Sequence, residues 1–196
     1  MDEADQLEAI GQLHELLQSQ GIEYWLFGGW AVDFHAGAVT RSHDDIDIAV
    51  WFHDLERIDR LLAADGWIHH SAATDDGYTT YERGPVQLEV AFLARADDGR
   101  VYTPANSGSG SWPSGSFEND RAELRGVHVR IVNRRSLTVD KSERRSDPVV
   151  AVKDRADLAT LSTVAAPSAL NAGEPASGWR RVVENPGGSP PVGASG

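Results

Sequence analysis

The segment at residues 45–48 constrains the fold most, because it alternates two aspartates with two isoleucines. Successive side chains of a β-strand point to opposite faces, so the isoleucines are expected to face a core while Asp45 and Asp47 share the other face. The glycine pair Gly28-Gly29 lies upstream, directly after a short apolar run. Mg²⁺ suits a carboxylate pair because it takes carboxylates together with waters and substrate phosphates. The pattern therefore predicts metal-assisted phosphoryl or nucleotidyl transfer.

The glycine pair and the two aspartates each have a functional and a purely structural interpretation. Without side chains, Gly28 and Gly29 would let a triphosphate approach backbone N–H groups at the positive end of a helix; the alternative is a tight strand-to-helix turn. For Asp45 and Asp47, the alternative is a solvated acidic strand edge that discourages aggregation. Like charges held close together need a cation or a raised pKa, which favours the functional interpretation.

A third carboxylate, Glu89, lies between two apolar residues in another predicted strand, which should neighbour the strand of Asp47. Three carboxylates from two strands would hold two Mg²⁺ ions about 3.5 to 4 Å apart, one activating a hydroxyl and one steadying a triphosphate. Glu89 is also a candidate general base, with Glu82 as its competitor. The alternative is an exposed residue on an alternating strand.

Several cationic residues are candidates for phosphate binding. Arg41 and His43 precede the aspartates, where a cation would contact a phosphate or hold Asp45, and a surface ion pair is the equal alternative. Lys141 is a candidate for neutralising the β and γ phosphates, with solvated surface charge as the alternative. It belongs to a basic cluster with Arg134, Arg135, Arg144 and Arg145, and Lys153 and Arg135 are further candidates.

Charge and composition limit the classes of partner. Residues 1–100 hold six arginines and no lysine against 20 acidic residues, within a net charge of −12 for the whole chain. Such a surface repels nucleic acid and attracts metal ions and polycationic small molecules. The chain has no cysteine, which excludes disulfides, thiolate zinc sites and a cysteine nucleophile. An acidic start and the lack of an apolar run of about 20 residues predict a soluble, cytoplasmic protein without a membrane partner.

Hydrophobic periodicity predicts an α/β (α+β) chain with a mixed sheet flanked by helices. Helices are expected at residues 3–20, 30–35, 55–64, 136–145 and 153–164, and strands at 22–27, 45–51, 67–72, 78–83 and 86–93. Residues 106–115 indicate a flexible Ser/Gly loop, and residues 122–132 indicate a hairpin. Asp154 and Asp157 are expected to cap and orient the last helix. Residues 1–164 are predicted to form the domain, followed by a mostly disordered tail at 165–196, where Pro, Gly, Ser and Ala dominate.

Residues 24–33, YWLFGGWAVD, and 40–47, TRSHDDID, resemble the small antibiotic nucleotidyltransferases, particularly the aminoglycoside 2''-nucleotidyltransferase and lincosamide nucleotidyltransferase groups. Looser similarity extends the resemblance to about residues 6–162. It implies a polymerase-β-like nucleotidyltransferase fold that moves a nucleoside monophosphate from a Mg²⁺-bound triphosphate, ATP or GTP, to a hydroxyl and releases pyrophosphate. By this resemblance, the glycine pair holds the triphosphate, and Asp45, Asp47 and Glu89 hold the metal.

Three functions follow from these observations. The leading hypothesis is adenylylation of a small, cationic hydroxyl acceptor such as an aminoglycoside or a lincosamide, by a monomer or a homodimer. The second is a toxin-type nucleotidyltransferase that modifies tRNA or a protein within a toxin–antitoxin pair, with the arginines between 130 and 145 binding phosphates. The third is a catalytically silent domain that binds nucleotide or a partner, against which the retained carboxylates argue.

Overall fold

The computed structural model describes residues 2–71, 76–105 and 110–164, which build one large mixed sheet, a small hairpin and flanking helices. The α/β class and the mixed sheet confirm the prediction from the sequence. The helices are α1 Glu3–Ser19, α2 Gly28–Ala36, α3 Leu55–Ala64, α4 Arg134–Lys141 and α5 Pro148–Thr163. The strands are β1 Tyr24–Phe27, β2 Ile46–Trp51, β3 Ile68–His70, β4 Tyr78–Arg83, β5 Val86–Arg95, β6 Val101–Thr103, β7 Gly110–Ser111, β8 Arg121–Leu124 and β9 Val127–Arg130.

The large sheet has the strand order β1-β2-β5-β4-β3. Strand β2 pairs antiparallel with β1 and parallel with β5, and β5 pairs antiparallel with β4. The end of β5 continues the sheet through β6 and β7, while β8 and β9 form a separate hairpin. The parallel pairing of β2 with β5 matters most for the site, because it sets Asp47 opposite Glu89.

Helices α1 and α3 cover one face of the sheet. The hydroxyl of Tyr24 in β1 lies 2.7 Å from Nδ1 of His14 in α1, and Tyr81 of β4 donates a hydrogen bond to Asp59 of α3 at 3.4 Å. The strand register puts both tyrosines on the face where β2 and β5 bury Ile46, Ile48, Val50, Leu88 and Val90. Each such buried side chain stabilises the fold by roughly 1.5 to 3 kcal/mol. The opposite face carries Asp47 and Glu89.

Helix α2 begins directly at the end of β1, two residues before the predicted start at residue 30. Gly28 adopts φ +65°, which turns the chain from strand to helix without an intervening loop. The helix ends at Ala36 and is capped by Gly37, which adopts φ +70° and donates its N–H to the carbonyl of Asp33. The N-cap residue of α2, Phe27, makes no side-chain hydrogen bond, so the first-turn N–H groups lack the usual side-chain cap.

Helix α5 begins five residues before the predicted start at residue 153. Asp147 caps it by accepting hydrogen bonds from the N–H groups of Val149 (2.7 Å) and Val150 (3.4 Å), and Pro148 occupies the first turn, where its missing N–H costs nothing. The prediction that Asp154 and Asp157 cap this helix is therefore wrong. Both lie inside the helix and are buried, at 4% and 1% exposure.

The predicted Ser/Gly loop is only partly described. Residues 110–111 form β7, which pairs with β6, while residues 106–109 lie outside the described part of the chain. The predicted tail from residue 165 also lies outside it, and so remains a prediction. Among the helices that are described, none combines the length and apolar character needed to cross a bilayer.

Candidate active site

Three carboxylates interact at the face of the sheet that α1 and α3 leave uncovered. Asp47 of β2 is in direct register with Glu89 of β5, and Asp45 immediately precedes β2. Burial raises the pKa of Asp47 well above its usual value of 3.8, and the negative charges of Asp45 and Glu89 raise it further. The sheet register thus brings together the three acidic residues that the sequence singled out.

The glycine turn lies directly against Asp47. A Cβ atom added to Gly28 would overlap Oδ2 of Asp47 and would lie 2.6 Å from its Cγ, so only glycine leaves room for this carboxylate. The uncapped first turn of α2 begins at the same residue. Backbone N–H groups and the helix dipole make such a turn favourable for an anion. The site therefore sets a helix N-terminus, which suits an anion, beside a carboxylate, which suits a cation.

Arg41 and His43 lie behind the second glycine. A Cβ atom on Gly29 would overlap Nη2 of Arg41 and would lie 2.5 Å from Nδ1 of His43. His43 is buried against Trp30, and its Nε2 lies 2.5 Å from Oδ2 of Asp33. Arginine only donates hydrogen bonds, so Nδ1 of His43 accepts one from Arg41 at 3.0 Å, and Nε2 carries the proton that is donated to Asp33. Both residues support the turn from the side.

The partner of Arg41 is Asp157 of α5, not Asp45. Nε and Nη2 of Arg41 donate to the two carboxylate oxygens of Asp157 at 2.8 and 2.9 Å. Burial alone would raise the pKa of Asp157, but hydrogen bonds from Arg41 and the charge of Lys141 lower it below 3.8. The sequence left open whether Arg41 binds phosphate or forms an ion pair, and the structure places it in a pair that is largely buried.

Lys141, at the end of α4, lies between two carboxylates of α5. Its Nζ is 3.0 Å from Asp154 and 3.1 Å from Asp157, and its side chain is 10% exposed. Burial would lower the pKa of Lys141, but its hydrogen bonds and ion pairs with these aspartates raise it above 10.5. The charge of Lys141 also lowers the pKa of Asp47, so it acts on the carboxylate site. Its predicted role as a phosphate ligand stays a prediction.

Two of the further cationic candidates lie elsewhere. Lys153 forms an ion pair with Asp44 on an exposed surface, and Arg135 is exposed at the start of α4. The carboxylates and the glycine turn thus come together, with Arg41, His43 and Lys141 arranged around them.

Sequence reasoning missed the structural importance of Asp33 and Asp157. Asp33 is fully buried in α2, where it accepts hydrogen bonds from His43 and from the backbone N–H of Thr40 at 3.0 Å. A signal was available for Asp33, because it is the one charged residue in the apolar stretch 30–34, and buried charges require partners. Asp157 gave no such signal, since its partner Arg41 lies 116 positions away.

The residues present suit a hard divalent cation. Carboxylate oxygens are the ligands that Mg²⁺ prefers, and the raised pKa of Asp47 indicates negative charge that a cation would neutralise. Across residues 2–71, 76–105 and 110–164, no group of three or more histidine or acidic side chains is close enough to enclose a metal ion. Mg²⁺ commonly uses one or two carboxylates together with waters and substrate phosphates, so this open arrangement fits it.

Sequence comparison gives one match that spans most of the chain. The family model of aminoglycoside-2''-adenylyltransferases matches residues 9–160. A 2''-aminoglycoside nucleotidyltransferase of Klebsiella pneumoniae is 42% identical over 43 residues, which are 22% of this chain and 24% of that protein. An Escherichia coli protein of the same description is 44% identical over 39 residues, 18% of this chain and 22% of that protein. The alignable segment thus spans less than a quarter of these curated relatives.

Solved structures share the fold. The lincomycin-bound lincosamide antibiotic adenylyltransferase LnuA superposes with a TM-score of 0.65 at 18% identity, over 81% of this chain and 97% of that one. The enzyme ANT(2'')-Ia in complex with adenylyl-2''-tobramycin gives a TM-score of 0.63 at 23% identity, over 80% of this chain and 90% of that one. The family model covers the strands and helices that form the carboxylate site and its glycine turn. This chain therefore belongs to the aminoglycoside-2''-adenylyltransferase family.

Proposed function

We propose that the protein transfers a nucleoside monophosphate, AMP in the first instance, from a Mg²⁺-bound nucleoside triphosphate to a hydroxyl of a small cationic acceptor such as an aminoglycoside or a lincosamide. Pyrophosphate is the second product. Membership of the family supports the reaction class, and the two neighbouring structures hold lincomycin and adenylyl-2''-tobramycin, respectively. The acceptor of this chain is part of the proposal.

One observation carries the proposal: Asp47 lies between the glycine turn and Glu89. A nucleoside triphosphate has a polyanionic tail that suits the uncapped first turn of α2, and its metal ion suits the carboxylates of Asp47, Asp45 and Glu89. The triphosphate tail and its metal ion therefore each have complementary groups in the protein, and these two sets of groups are in contact with each other. A merely solvated acidic strand edge would not require glycine at position 28, whereas here a Cβ atom at that position would overlap Asp47.

In the proposed reaction, the acceptor hydroxyl oxygen forms a bond to the α-phosphorus, and the bond from that phosphorus to the bridging oxygen breaks. Pyrophosphate leaves with the bonding electrons, and the hydroxyl proton passes to Glu89. Asp45, Asp47 and Glu89 would supply carboxylate oxygens to Mg²⁺, which would neutralise negative charge on the phosphates together with waters. The first turn of α2 orients the triphosphate, and the positive charge of Lys141 acts on Asp47. Glu82 is a weaker candidate base, because it pairs with His70 at 3.1 Å.

The sheet surface beside Glu89 suits a hydrophilic acceptor. Thr80 of β4 is in direct register with Glu89 and is half-buried, so the floor next to the proposed base is small and polar. Residues 1–100 carry 20 acidic residues and only six arginines, and this negative field attracts polycations. These features favour an amino sugar over a neutral or anionic acceptor.

The tRNA-modifying alternative loses part of its support. Three of the five arginines between 130 and 145 are engaged within the protein: Arg130 lies over the ring of Trp25 at 5.0 Å, Arg134 donates to a main-chain carbonyl at the end of α5, and Arg145 binds carboxylates of α4 and α5. The other two, at positions 135 and 144, are exposed. Arginines committed to such contacts are poor ligands for a nucleic acid backbone. No contact in the described residues favours this second function.

Pyrophosphate release tests the proposal. The chain is mixed with Mg²⁺, ATP or GTP, and separate pools of aminoglycosides, lincosamides and tRNA. We expect release with an antibiotic pool, and a loss of at least about 100-fold in the Asp47→Asn variant. Asp98→Asn is the matched control, because Asp98 pairs with Arg100 in an exposed turn. Release with tRNA alone, or equal activity of the two variants, would contradict the proposal.

A further inference from the structure

We propose that Asp157 is a positioning residue that holds the nucleotide-binding turn in place from α5, acting through Arg41. The inference rests on the proposed function, since it concerns the same nucleotide site. Asp157 is 1% exposed and lies in the middle of α5. Its two oxygens bind Arg41, which packs against the glycine turn, and one of them also binds Lys141 of α4.

The first link runs from Asp157 to the glycine turn. Arg41 makes two hydrogen bonds to Asp157, and its Nη1 donates to the carbonyl of Ser42 at 2.9 Å and to Nδ1 of His43 at 3.0 Å. These contacts engage most of its N–H groups, which fixes the guanidinium plane. Nη2 packs so closely on Gly29 that a Cβ atom there would overlap it. The position of the turn therefore depends on the position of Arg41.

Asp157 has a second contact, to Lys141 of α4, which it shares with Asp154. Asp154 in turn has a second partner, Arg145, at 2.8 Å. Asp157 thus contacts both Arg41 and Lys141. Asp154 shares the helix, the burial and Lys141, but it lacks the link to Arg41.

The direction in which nucleotide affinity changes in the Asp157→Asn variant distinguishes a positioning role from a simple charge effect. Removing a negative charge near a triphosphate site strengthens anion binding by Coulomb's law. Replacing Asp157 by Asn also releases Arg41, which could then contact phosphate directly. Both effects would tighten nucleotide binding. If Asp157 acts by positioning, the loss of the two-oxygen clamp lets Arg41 and the glycine turn move, and binding weakens by about tenfold, as for other residues that orient a ligand set.

The experiment measures binding of Mg²⁺–ATP by calorimetry and the KM values of the full chain. We expect Asp157→Asn to raise Kd and the KM for ATP about tenfold and to leave the KM for the acceptor unchanged. Asp154→Asn is the matched control and should change Kd by less than about twofold, since it leaves the Arg41 clamp intact. Arg41→Lys keeps the positive charge but cannot bind both oxygens, and should also weaken binding about tenfold. It serves as the test if Asp157→Asn does not fold.

Unchanged or tighter binding by Asp157→Asn, or equal weakening in both asparagine variants, would overturn the inference. So would equal increases in the KM values for ATP and acceptor, because these would indicate general damage. A wild-type chain that binds Mg²⁺–ATP but transfers no nucleotide would contradict the proposed function alone, and the Kd of Asp157→Asn would then decide the inference. A wild-type chain that binds no nucleotide overturns both.

Discussion

Replacing Gly28 by alanine is the most direct test of the contact between the glycine turn and Asp47. Alanine at φ +65° is strained by about 1 to 2 kcal/mol. Its Cβ atom would also overlap Oδ2 of Asp47 and would lie 2.6 Å from Cγ and 3.1 Å from Cβ. Rotating the Asp47 side chain relieves only the overlap with the carboxylate, so the backbone must shift as well, at a further cost of roughly 1 to 3 kcal/mol.

Gly37 offers a matched control at the other end of the same helix. It has nearly the same backbone conformation, φ +70°, but a Cβ atom there would have no neighbour within 4 Å. Gly37→Ala should therefore cost the strain alone, about 1 to 2 kcal/mol, and should leave nucleotidyl transfer intact. Gly28→Ala should cost more and should lower the transfer rate at least about 100-fold, because it displaces a carboxylate by an ångström or more.

Urea denaturation of the metal-free proteins gives the two free energies of unfolding, and pyrophosphate release gives the two rates. The difference between the variants isolates the contact with Asp47, because backbone strain is common to both. A Gly28→Ala protein with wild-type activity, or one that resembles Gly37→Ala in both measurements, would refute the reasoning.

Three further predictions concern charge and domain boundaries. In the metal-free protein, Asp47 makes the free energy of unfolding fall as pH rises from 3.8 through its raised folded-state pKa, because only the folded state then holds the proton. Asp47→Asn should remove that slope in denaturation measured against pH, and an unchanged slope would contradict the raised pKa. Lys141→Met should destabilise the protein by about 1 to 3 kcal/mol in urea, since Asp154 and Asp157 each lose a buried partner; a change below about 0.5 kcal/mol would argue against these pairs. A chain ending at residue 164 should keep the Tm and the activity of the full chain, and a clear loss of either would show that the tail has a structural role.

Local patterns predicted the elements with strong alternation or clear boundaries. The bounds of α3 and β4 agree with the structure at both ends, because Gly66 follows the helix and the turn at Gly84 follows the strand. The same alternation predicted that Asp47 and its neighbouring isoleucines face opposite sides of the sheet. The start of α5 was missed although Asp147 and Pro148 form a recognisable cap, so this error came from reading the sequence and not from tertiary contacts.

Local sequence patterns could not predict which carboxylates the cationic side chains bind. Lys141 and Arg41 carry charges whose sign is evident in the sequence, but their partners are chosen by the packing of α5 against α2 and α4. A pair such as Arg41 and Asp157, 116 positions apart, leaves no periodicity to detect. Sequence patterns therefore predicted that Asp47 and Glu89 lie on neighbouring strands, whereas the residues packed around them emerged only with the tertiary structure.

The separation of the two faces of the sheet has a consequence for how such a protein diversifies. One face, under α1 and α3, is filled by side chains that the core cannot lose. The other bears half-buried residues of β4 such as Tyr78 and Thr80, next to Glu89. Substitutions of these half-buried residues would change the side chains that an incoming molecule contacts and would leave the hydrophobic core unchanged. Substrate preference could therefore change through substitutions on one face of the sheet without compensating substitutions on the other.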